Sequence, residues 1–359
     1  MSVQPNSADT STAPLQFRRA APADAEGIAD LYDRVYGGNY PILECTDPAL
    51  IRTVLSERDY SWFLATADDA VVGSSVAVPD SVNGTCELGR AAVRLEYAGR
   101  GNFAVLFEAT VADAAARPEN ELIYGYARSE RSRYLFERID HTIHWTGTDG
   151  GMHRVGEDRE EHLIGVSFNP EYPPLRMLPP HPLVVADSLV DAELRAMVGR
   201  TEDGPYPERI AAVHSAEYLH ESEHGRIAFS LFEPSHAAVI AGIEARSPAD
   251  VRRLLHEVLD HASSRVDHLT VYVLADKRAV IAELCTPDAT GRSFTASAYL
   301  PGWHRENGAR YDCLTLTLRL DDRTPRRLGF GEHIESLHES LNIPTAKPPL
   351  PLRRKDIRA

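Results

Sequence analysis

The sequence has few cysteines, no long hydrophobic run and no excess of basic side chains. Its four cysteines, Cys45, Cys86, Cys285 and Cys313, lie far apart, and none forms the Cys-x-x-Cys pair that holds zinc or a redox disulfide. This usage predicts a reducing compartment. No apolar stretch reaches membrane-spanning length, and the polar first residues lack the basic start and apolar core of a signal peptide. We therefore expect a cytoplasmic protein with no membrane partner.

Acidic side chains outnumber basic ones by 53 to 38, which gives a formal net charge of −15. Such a field repels a phosphate backbone unless a local basic face overcomes it, so nucleic-acid binding is not expected. An apolar fraction of 43% and a charged fraction of 25% are ordinary for a globular protein and exclude a disordered or fibrous chain. With 359 residues the chain exceeds one usual domain, so two folded domains are predicted.

Proline spacing predicts the boundary between these domains. Residues 169–182 contain six prolines, each of which removes a backbone donor and disfavours helix in the residue before it. We therefore predict a first domain at residues 15–168, a linker at 169–182 and a second domain at 183–322. Residues 1–14 are polar and are expected to form a disordered leader, and residues 323–359 are expected to form a solvated tail.

Strand and helix periodicities alternate through the first domain in the order β-α-α-β-β-β-α-β-α-β-β. A mixed α/β (α+β) fold is therefore predicted, with Asp47 as the cap of the second helix. The predicted strands span residues 15–19, 61–66, 70–78, 87–93, 122–127, 142–145 and 161–168, and the predicted helices span residues 23–35, 48–58, 102–116 and 132–139.

The second half of the sequence repeats part of this order, after a predicted hairpin at residues 209–233. Two copies of one α/β unit are therefore predicted. The second copy is expected to contain strands at 237–245, 268–274, 294–300 and 311–320 and helices at 248–263 and 277–284.

The connection between the predicted strand 87–93 and the next helix carries a glycine pair, Gly99 and Gly101. Such a loop directs backbone N–H groups and the positive end of the helix dipole at one point, where a pyrophosphate can bind. Glycine permits close approach of the phosphate, and Arg100 supplies a further cation. A tight strand-to-helix turn with no ligand is the alternative interpretation. Neither a Gly-x-Gly-x-x-Gly motif in a first β-α unit nor a Gly-Lys-Ser/Thr loop is present.

Residues 93–102, Val-Arg-Leu-Glu-Tyr-Ala-Gly-Arg-Gly-Asn, resemble motif A of the GNAT superfamily of acyl-CoA N-acyltransferases. The resemblance covers about residues 15–168. It implies a mixed, mostly antiparallel central sheet flanked by helices, with acetyl-CoA or another acyl-CoA as cosubstrate. It further implies that the pyrophosphate binds at Gly99, Arg100, Gly101 and Asn102, and that the pantetheine arm contacts the backbone of Ala91 and Val93.

Two residues are candidates for proton transfer. Glu87 on the central strand is a candidate base for the attacking amine, although a solvent-facing role is the ordinary alternative. Residues 135–141 resemble the family's helix whose tyrosine protonates the leaving thiolate, but Phe136 stands at that position. Tyr134 is therefore the candidate acid, with packing as its alternative role. Tyr124 and Tyr126 share one face of their strand and are candidates for the acceptor pocket.

Two features of the second half bear on function. The junction at residues 243–250 contains no glycine, and Glu244 would repel a phosphate, so this half resembles a degenerate GNAT copy. His220, Glu221 and His224 match the His-Glu-x-x-His string of zinc hydrolases, which requires a helix. The surrounding sequence predicts a hairpin tip instead. No metal is therefore expected.

The resulting prediction is an acyl-CoA-dependent N-acyltransferase that acts on the amine of a small molecule by direct transfer in a ternary complex. Ala98, Phe103 and Phe136 depart from the family pattern and motivate an alternative, a catalytically inactive scaffold or ligand-binding protein. A zinc hydrolase built on the histidine string is the minor alternative.

Overall fold

The computed structural model describes residues 14–99, 101–128, 130–137, 143–155, 158–178, 194, 196–202, 204–262, 265–321 and 325–327. The chain divides into two compact units. Unit 1 contains residues 1–77 and 89–112, and unit 2 contains residues 78–88 and 113–359. The predicted domain boundary at residues 169–182 stays a prediction, and most of the predicted leader and tail lie outside the described residues.

Both units combine helices with mostly antiparallel strands, so the predicted mixed α/β class is confirmed. The α-helices whose two ends both lie among the described residues are α1 Ala25–Tyr36, α2 Pro48–Glu57, α3 Asn102–Ala115, α4 Glu130–Glu137, α5 Pro248–Ala262 and α6 Arg278–Cys285.

Unit 1 is built on an antiparallel meander of β1 Gln16–Arg19, β2 Ser61–Ala67 and the first part of β3 Ala70–Asp80. The predicted cap of α2 is confirmed, because the Asp47 carboxylate accepts from the Ala49 amide at 2.8 Å. The next strand, β4 Thr85–Val93, begins in unit 2 and ends in unit 1.

Unit 2 contains a long sheet in the order β4-β5-β9-β6-β14-β15-β13-β12-β11-β10 and a small sheet in the order β16-β8-β7. Its further strands are β5 Leu122–Ala127, β6 His144–Thr148, β7 His153–Val155, β8 Asp158–Glu161, β9 Leu163–Phe168, β10 Tyr218–Ser222, β11 Gly225–Phe232, β12 Ala237–Ala245, β13 His268–Leu274, β14 Thr295–Glu306, β15 Ala309–Arg319 and β16 Arg326–Arg327.

The same order of strand pairings occurs twice along the long sheet. β4 pairs with β5 in parallel, and β9 and β6 follow as antiparallel strands. From the other side, β12 pairs with β13 in parallel, and β15 and β14 follow as antiparallel strands. The two sets meet where β6 pairs with β14.

The helix α5 covers the second of these sets. Val251, Leu254, Leu255 and Val258 lie on one face of α5 and are fully buried. They belong to the same apolar core as Ile240 of β12 and the residues of β13 that face it. This spacing of apolar residues is the amphipathic pattern that predicted the helix.

The structure differs from the sequence-based elements in the region before the proline-rich segment. The predicted strand at residues 161–168 is two strands, β8 and β9, which separate at His162. The short strand β7 was not predicted. It pairs with β8, and β16 pairs with β8 on its other side. Strands of two to four residues carry too little periodicity to be detected from sequence.

None of the helices among the described residues has both the length and the apolar character needed to cross a membrane. The cytoplasmic location stays a prediction.

Candidate functional site

The glycine loop of unit 1 connects the end of β4 to α3. A single 3-10 turn, Leu95–Tyr97, follows the strand, and Gly99 and Gly101 then adopt φ values of 78° and 77°. These left-handed conformations favour glycine, since a Cβ there is strained. A Cβ built on either glycine has no other atom within 4 Å, so the space in front of the loop is open.

The start of α3 presents backbone donors to this open space. The Ala104 amide donates to the Gly101 carbonyl at 3.0 Å, which closes the first turn. The N–H groups of residues 101–103 are those that an α-helix leaves without an intrahelical partner. The first turn of α3 contains no acidic side chain that could cap them. This arrangement of donors and helix dipole suits a phosphate group.

Two of the four predicted pyrophosphate residues, Gly99 and Gly101, are thus described in full. Arg100 lies outside the described residues, and for Asn102 the backbone alone is described, at the first position of α3. The roles of all four stay predictions.

The predicted pantetheine contacts lie at the end of β4. Arg90 has a φ of 50°, a left-handed conformation inside the strand, and the Tyr32 hydroxyl donates to its carbonyl. The Tyr36 hydroxyl donates to the Ala91 carbonyl at 2.9 Å. Val93 is half-buried beside Gly73. The strand end is therefore held in place by tyrosines of α1, and the contacts of Ala91 and Val93 with a ligand stay predictions.

Phe103, a departure from the family pattern, packs inside unit 1. Its ring lies 6.1 Å from that of Phe107 and contacts an apolar cluster that includes Leu106 and Tyr97. The side chain is thus accommodated by the packing of unit 1.

In unit 2, Glu87 lies half-buried on β4, directly opposite Tyr124 of the parallel strand β5. Burial raises the pKa of Tyr124 well above its ordinary value, and the negative charge of Glu87 raises it further. Burial likewise raises the pKa of Tyr126. It also raises the pKa of Tyr272 to about 12, although the hydrogen bond with Tyr126 opposes that shift. These phenols are therefore neutral near pH 7.

Trp303 joins this group of tyrosines to a histidine and an aspartate. Its ring lies 4.7 Å from that of Tyr124 and 5.3 Å from that of Tyr272. The Trp303 Nε1–H donates to His214 Nε2 at 3.3 Å, and His214 Nδ1 contacts Asp80 Oδ2 at 3.0 Å. Because His214 Nε2 accepts this hydrogen bond, His214 Nδ1 carries the ring hydrogen and donates it in a hydrogen bond to Asp80. Unit 2 thus contains an aromatic cluster of Tyr124, Tyr272 and Trp303, with the carboxylates of Glu87 and Asp80 at two of its edges.

A second His–Asp arrangement lies beside Tyr126. The rings of Tyr126 and His153 lie 5.7 Å apart in an edge contact, and His153 Nδ1 lies 2.6 Å from Asp149 Oδ2. The His162 ring stacks on His153 at 4.1 Å with 18° between their planes. Among the described residues, these three alone form a group of His, Cys, Asp or Glu whose ligand atoms lie within 4.8 Å of one another.

The region of the predicted acid is packed. Phe136 is buried, and its ring lies 6.0 Å from that of Trp145. A Cβ on Gly125 of β5 would approach the Phe136 ring to 2.5 Å, so the ring lies directly on the strand. Phe136 therefore fills this position as a packing residue. Tyr134 belongs to α4, its side chain is outside the described residues, and its role as acid stays a prediction.

The histidine string of the second half does not lie on a helix. His220 belongs to β10, and His224 lies in the turn before β11, so the predicted hairpin is confirmed. His220 Nε2 contacts Glu257 Oε2 at 2.9 Å, and His224 Nδ1 contacts Asp250 Oδ1 at 3.3 Å. The zinc-hydrolase string requires both histidines on one helix, and this condition is not met, because His220 lies on a strand and His224 lies in the turn that follows it.

The residues around Tyr126 and Trp303 that sequence reasoning missed are Asp80, Asp149, His153, His214, Tyr272 and Trp303. Asp80 and His214 are 134 positions apart in the sequence. No local pattern relates such positions, and tertiary folding alone brings them together.

No family model matches the chain, and no curated protein matches it. Several solved structures are similar to part of this chain. The ribosomal-protein-S5-alanine acetyltransferase of Vibrio fischeri is 15% identical over 43% of this chain and 93% of its own, with a TM-score of 0.37. An acetyltransferase of the GNAT family from Streptococcus pneumoniae is 15% identical over 43% of this chain and 99% of its own, with a TM-score of 0.37. The phosphinothricin acetyltransferase of Sinorhizobium meliloti, solved with AcCoA, is 16% identical over 43% of this chain and 88% of its own, with a TM-score of 0.36.

Proposed function

We propose that this chain is an acyl-CoA-dependent N-acyltransferase that transfers an acyl group, acetyl in the simplest case, directly to the amine of a small molecule. The start of α3 carries the proposal. Gly99 and Gly101 have φ values of 78° and 77°, and the space before them is open. The exposed amides and the helix dipole would hold the pyrophosphate of coenzyme A.

The start of α5, which follows β12, differs from the start of α3, which follows β4. At the start of α5, the Ser247 hydroxyl accepts from the Asp250 amide at 3.2 Å and contacts the Asp250 carboxylate at 2.7 Å. The helix end is thus capped by its own side chains, and the Asp250 carboxylate would repel a phosphate. Together with the repeated strand pairings, this supports the second half as a degenerate copy without a cofactor site.

Glu87 of β4 is the candidate base of the proposed reaction. The amine nitrogen attacks the thioester carbonyl, a carbon–nitrogen bond forms, and the coenzyme A thiolate leaves. Glu87 takes a proton from the attacking nitrogen, and Tyr134 or solvent gives one to the thiolate. The half-buried carboxylate of Glu87, opposite Tyr124, suits a cationic amine.

A second candidate is a ligand-binding protein without transferase activity. One observation favours it: Phe136 occupies, as a buried packing residue, the position at which the family resemblance implies a proton-donating tyrosine. A thiolate is a good leaving group because the pKa of a thiol is low, roughly 8.5, so we regard loss of this donor as tolerable for transfer.

Two measurements test the proposal. Isothermal titration with acetyl-CoA tests the cofactor site, and release of free thiol in the presence of small amines tests transfer. Spermidine and phosphinothricin are suitable first amines, because similar structures include a spermidine N-acetyltransferase and a phosphinothricin acetyltransferase. Binding with amine-dependent thiol release is the expected result. Binding without release would support the second candidate, and no binding at millimolar acetyl-CoA would overturn the transferase and favour the inactive alternative.

A further inference from the structure

Arg90, near the end of β4, has a backbone conformation that residues with a Cβ rarely adopt. Its φ of 50° lies in the left-handed region, although Arg90 is part of a strand. Such a conformation persists only where the surrounding contacts fix it, and it often occurs at ligand sites. Arg90 directly precedes Ala91, a predicted contact of the pantetheine arm. The contacts that fix Arg90 therefore bear on the proposed cofactor site.

The side chain of Arg90 is held within unit 1 by a carboxylate and an aromatic ring. Arg90 Nη1 contacts Glu44 Oε2 at 2.5 Å, and the guanidinium carbon lies 5.3 Å from the centre of the Tyr60 ring. The Glu44 carboxylate also accepts from Arg58 at 2.7 Å. These contacts oppose any rearrangement of the strand end that would move the Arg90 side chain.

The carbonyl of Arg90 is the end of a buried chain of hydrogen bonds. The Trp62 Nε1–H donates to Ser74 Oγ at 2.8 Å. The Tyr32 hydroxyl lies 3.2 Å from Ser74 Oγ and donates to the Arg90 carbonyl. Because a hydroxyl has one hydrogen, Tyr32 accepts from Ser74. Trp62, Ser74 and Tyr32 are fully buried, and a satisfied buried network of this kind rigidifies the backbone at its end.

The next carbonyl along β4 is held by a second tyrosine of the same helix. The Tyr36 hydroxyl donates to the Ala91 carbonyl at 2.9 Å. Tyr32 and Tyr36 are one turn apart on α1, and their rings stack with centres 6.1 Å apart. Consecutive carbonyls of a regular strand point to opposite sides, yet hydroxyls of one helix reach both here. The tyrosine pair therefore fits an irregular strand end that contains a left-handed Arg90.

These tyrosines act on the part of β4 that follows its pairing with β5. That pairing ends at Leu88. Buried backbone groups beyond this point need other hydrogen-bond partners, and α1 supplies donors to the carbonyls of Arg90 and Ala91. A further contact joins Asp30 of α1 to the side chain of Arg94 at 2.9 Å. Side chains of α1 thus hold the strand end before and after the predicted pantetheine contacts.

We propose that Tyr32 and Tyr36 are positioning residues, which preorganise the end of β4 for the pantetheine arm of acyl-CoA. This inference rests on the proposed function and concerns unit 1 alone. Each hydroxyl acts through the backbone, because it holds a carbonyl beside the contacts predicted at Ala91 and Val93. A segment already fixed in its binding conformation loses less entropy when the ligand arrives, so the affinity rises. The proposed pyrophosphate contacts at the start of α3 do not involve these hydroxyls.

The test compares two ligands that share the pyrophosphate, acetyl-CoA and ADP, of which ADP lacks the pantetheine arm. Tyr36→Phe is the principal variant, because Tyr36 is half-buried and the change keeps its ring. Isothermal titration should show a Kd for acetyl-CoA raised roughly 2- to 10-fold, the effect of one ordinary hydrogen bond. Tyr32→Phe should act in the same direction. NMR titration with ADP should give the same result for the wild type and both variants.

Thr110→Val is the matched control. Thr110 is a fully buried residue of unit 1 whose hydroxyl donates within α3, to the Leu106 carbonyl at 3.0 Å. Its loss removes a buried hydroxyl of the same unit and should leave the Kd for acetyl-CoA unchanged. Wild-type affinity for acetyl-CoA in folded Tyr36→Phe and Tyr32→Phe would overturn the proposal. So would an equal weakening of acetyl-CoA and ADP, because the effect would then not belong to the pantetheine arm.

Amide hydrogen exchange of the ligand-free protein keeps the inference separate from the proposed function. Residues 89–97 are expected to exchange faster in Tyr32→Phe and Tyr36→Phe than in the wild type or Thr110→Val, because the strand end has lost a partner. Unchanged exchange in both tyrosine variants would overturn the positioning role, whatever the ligand. If exchange rises as expected but the wild type binds no acetyl-CoA, the proposed function fails and the role toward the pantetheine arm fails with it.

Discussion

Replacement of Gly101 by valine is the most direct test of the proposed cofactor loop. Gly101 has a φ of 77°, so any L side chain is strained there by roughly 1–3 kcal/mol. The new side chain would extend into space where no other atom lies within 4 Å, so it would meet a bound phosphate and no part of the protein. One lost hydrogen bond to a charged group costs about 1.5–3 kcal/mol. At 1.4 kcal/mol per factor of ten, the Kd for acetyl-CoA should rise roughly 10- to 150-fold.

Gly291→Val is the matched control for this experiment. Gly291 has a φ of 80° and the same open surroundings, so the backbone strain is equal, but it lies in a loop of unit 2 before β14. Isothermal titration should show an unchanged Kd for the control and a raised Kd for Gly101→Val, with both variants folded by circular dichroism. Wild-type affinity in folded Gly101→Val would refute the assignment of the loop, and an equal loss in both variants would attribute the effect to strain.

Three further predictions follow from unit 2. Glu87→Gln should lower kcat/KM about 10²-fold with the Kd for acetyl-CoA unchanged in titration, and wild-type turnover would show that another group takes this proton. Gly125→Ala should lower the free energy of unfolding by about 1–3 kcal/mol in urea melts, since its Cβ would lie 2.5 Å from the Phe136 ring, whereas Gly242→Ala, whose nearest neighbour is 3.9 Å away, should cost less. Burial lowers the pKa of His268 to about 4. The unfolded chain therefore binds this proton first, so stability present above pH 6.5 is lost as pH falls towards 4. His268→Gln should reduce the difference between urea midpoints at pH 7 and pH 4.5, and an unchanged difference would contradict this reasoning.

The elements with strong local signals could be predicted from the sequence. The predicted strands at residues 122–127, 237–245 and 268–274 match the structure, because their apolar runs are bounded by turn residues. The helix from Asn102 could be predicted together with the glycine loop before it, since Gly99 and Gly101 are required by the left-handed backbone itself. These features depend on residues within a few positions of one another, so periodicity and turn chemistry were sufficient.

The aromatic cluster of unit 2 depends on residues that no local pattern relates. Asp80 and Trp303 both contact His214, from three separate parts of the chain, and these contacts exist only because the strands of the long sheet are neighbours in space. Asp149 and His153 are close in sequence, yet their significance comes from burial of the carboxylate and from the contact of His153 with Tyr126. The sequence by itself therefore determined the longer helices and strands and the glycine loop before α3, because these depend on interactions between residues close in sequence. Tertiary structure decided the pairing of titratable groups, because desolvation and hydrogen-bond geometry arise only when distant strands pack together.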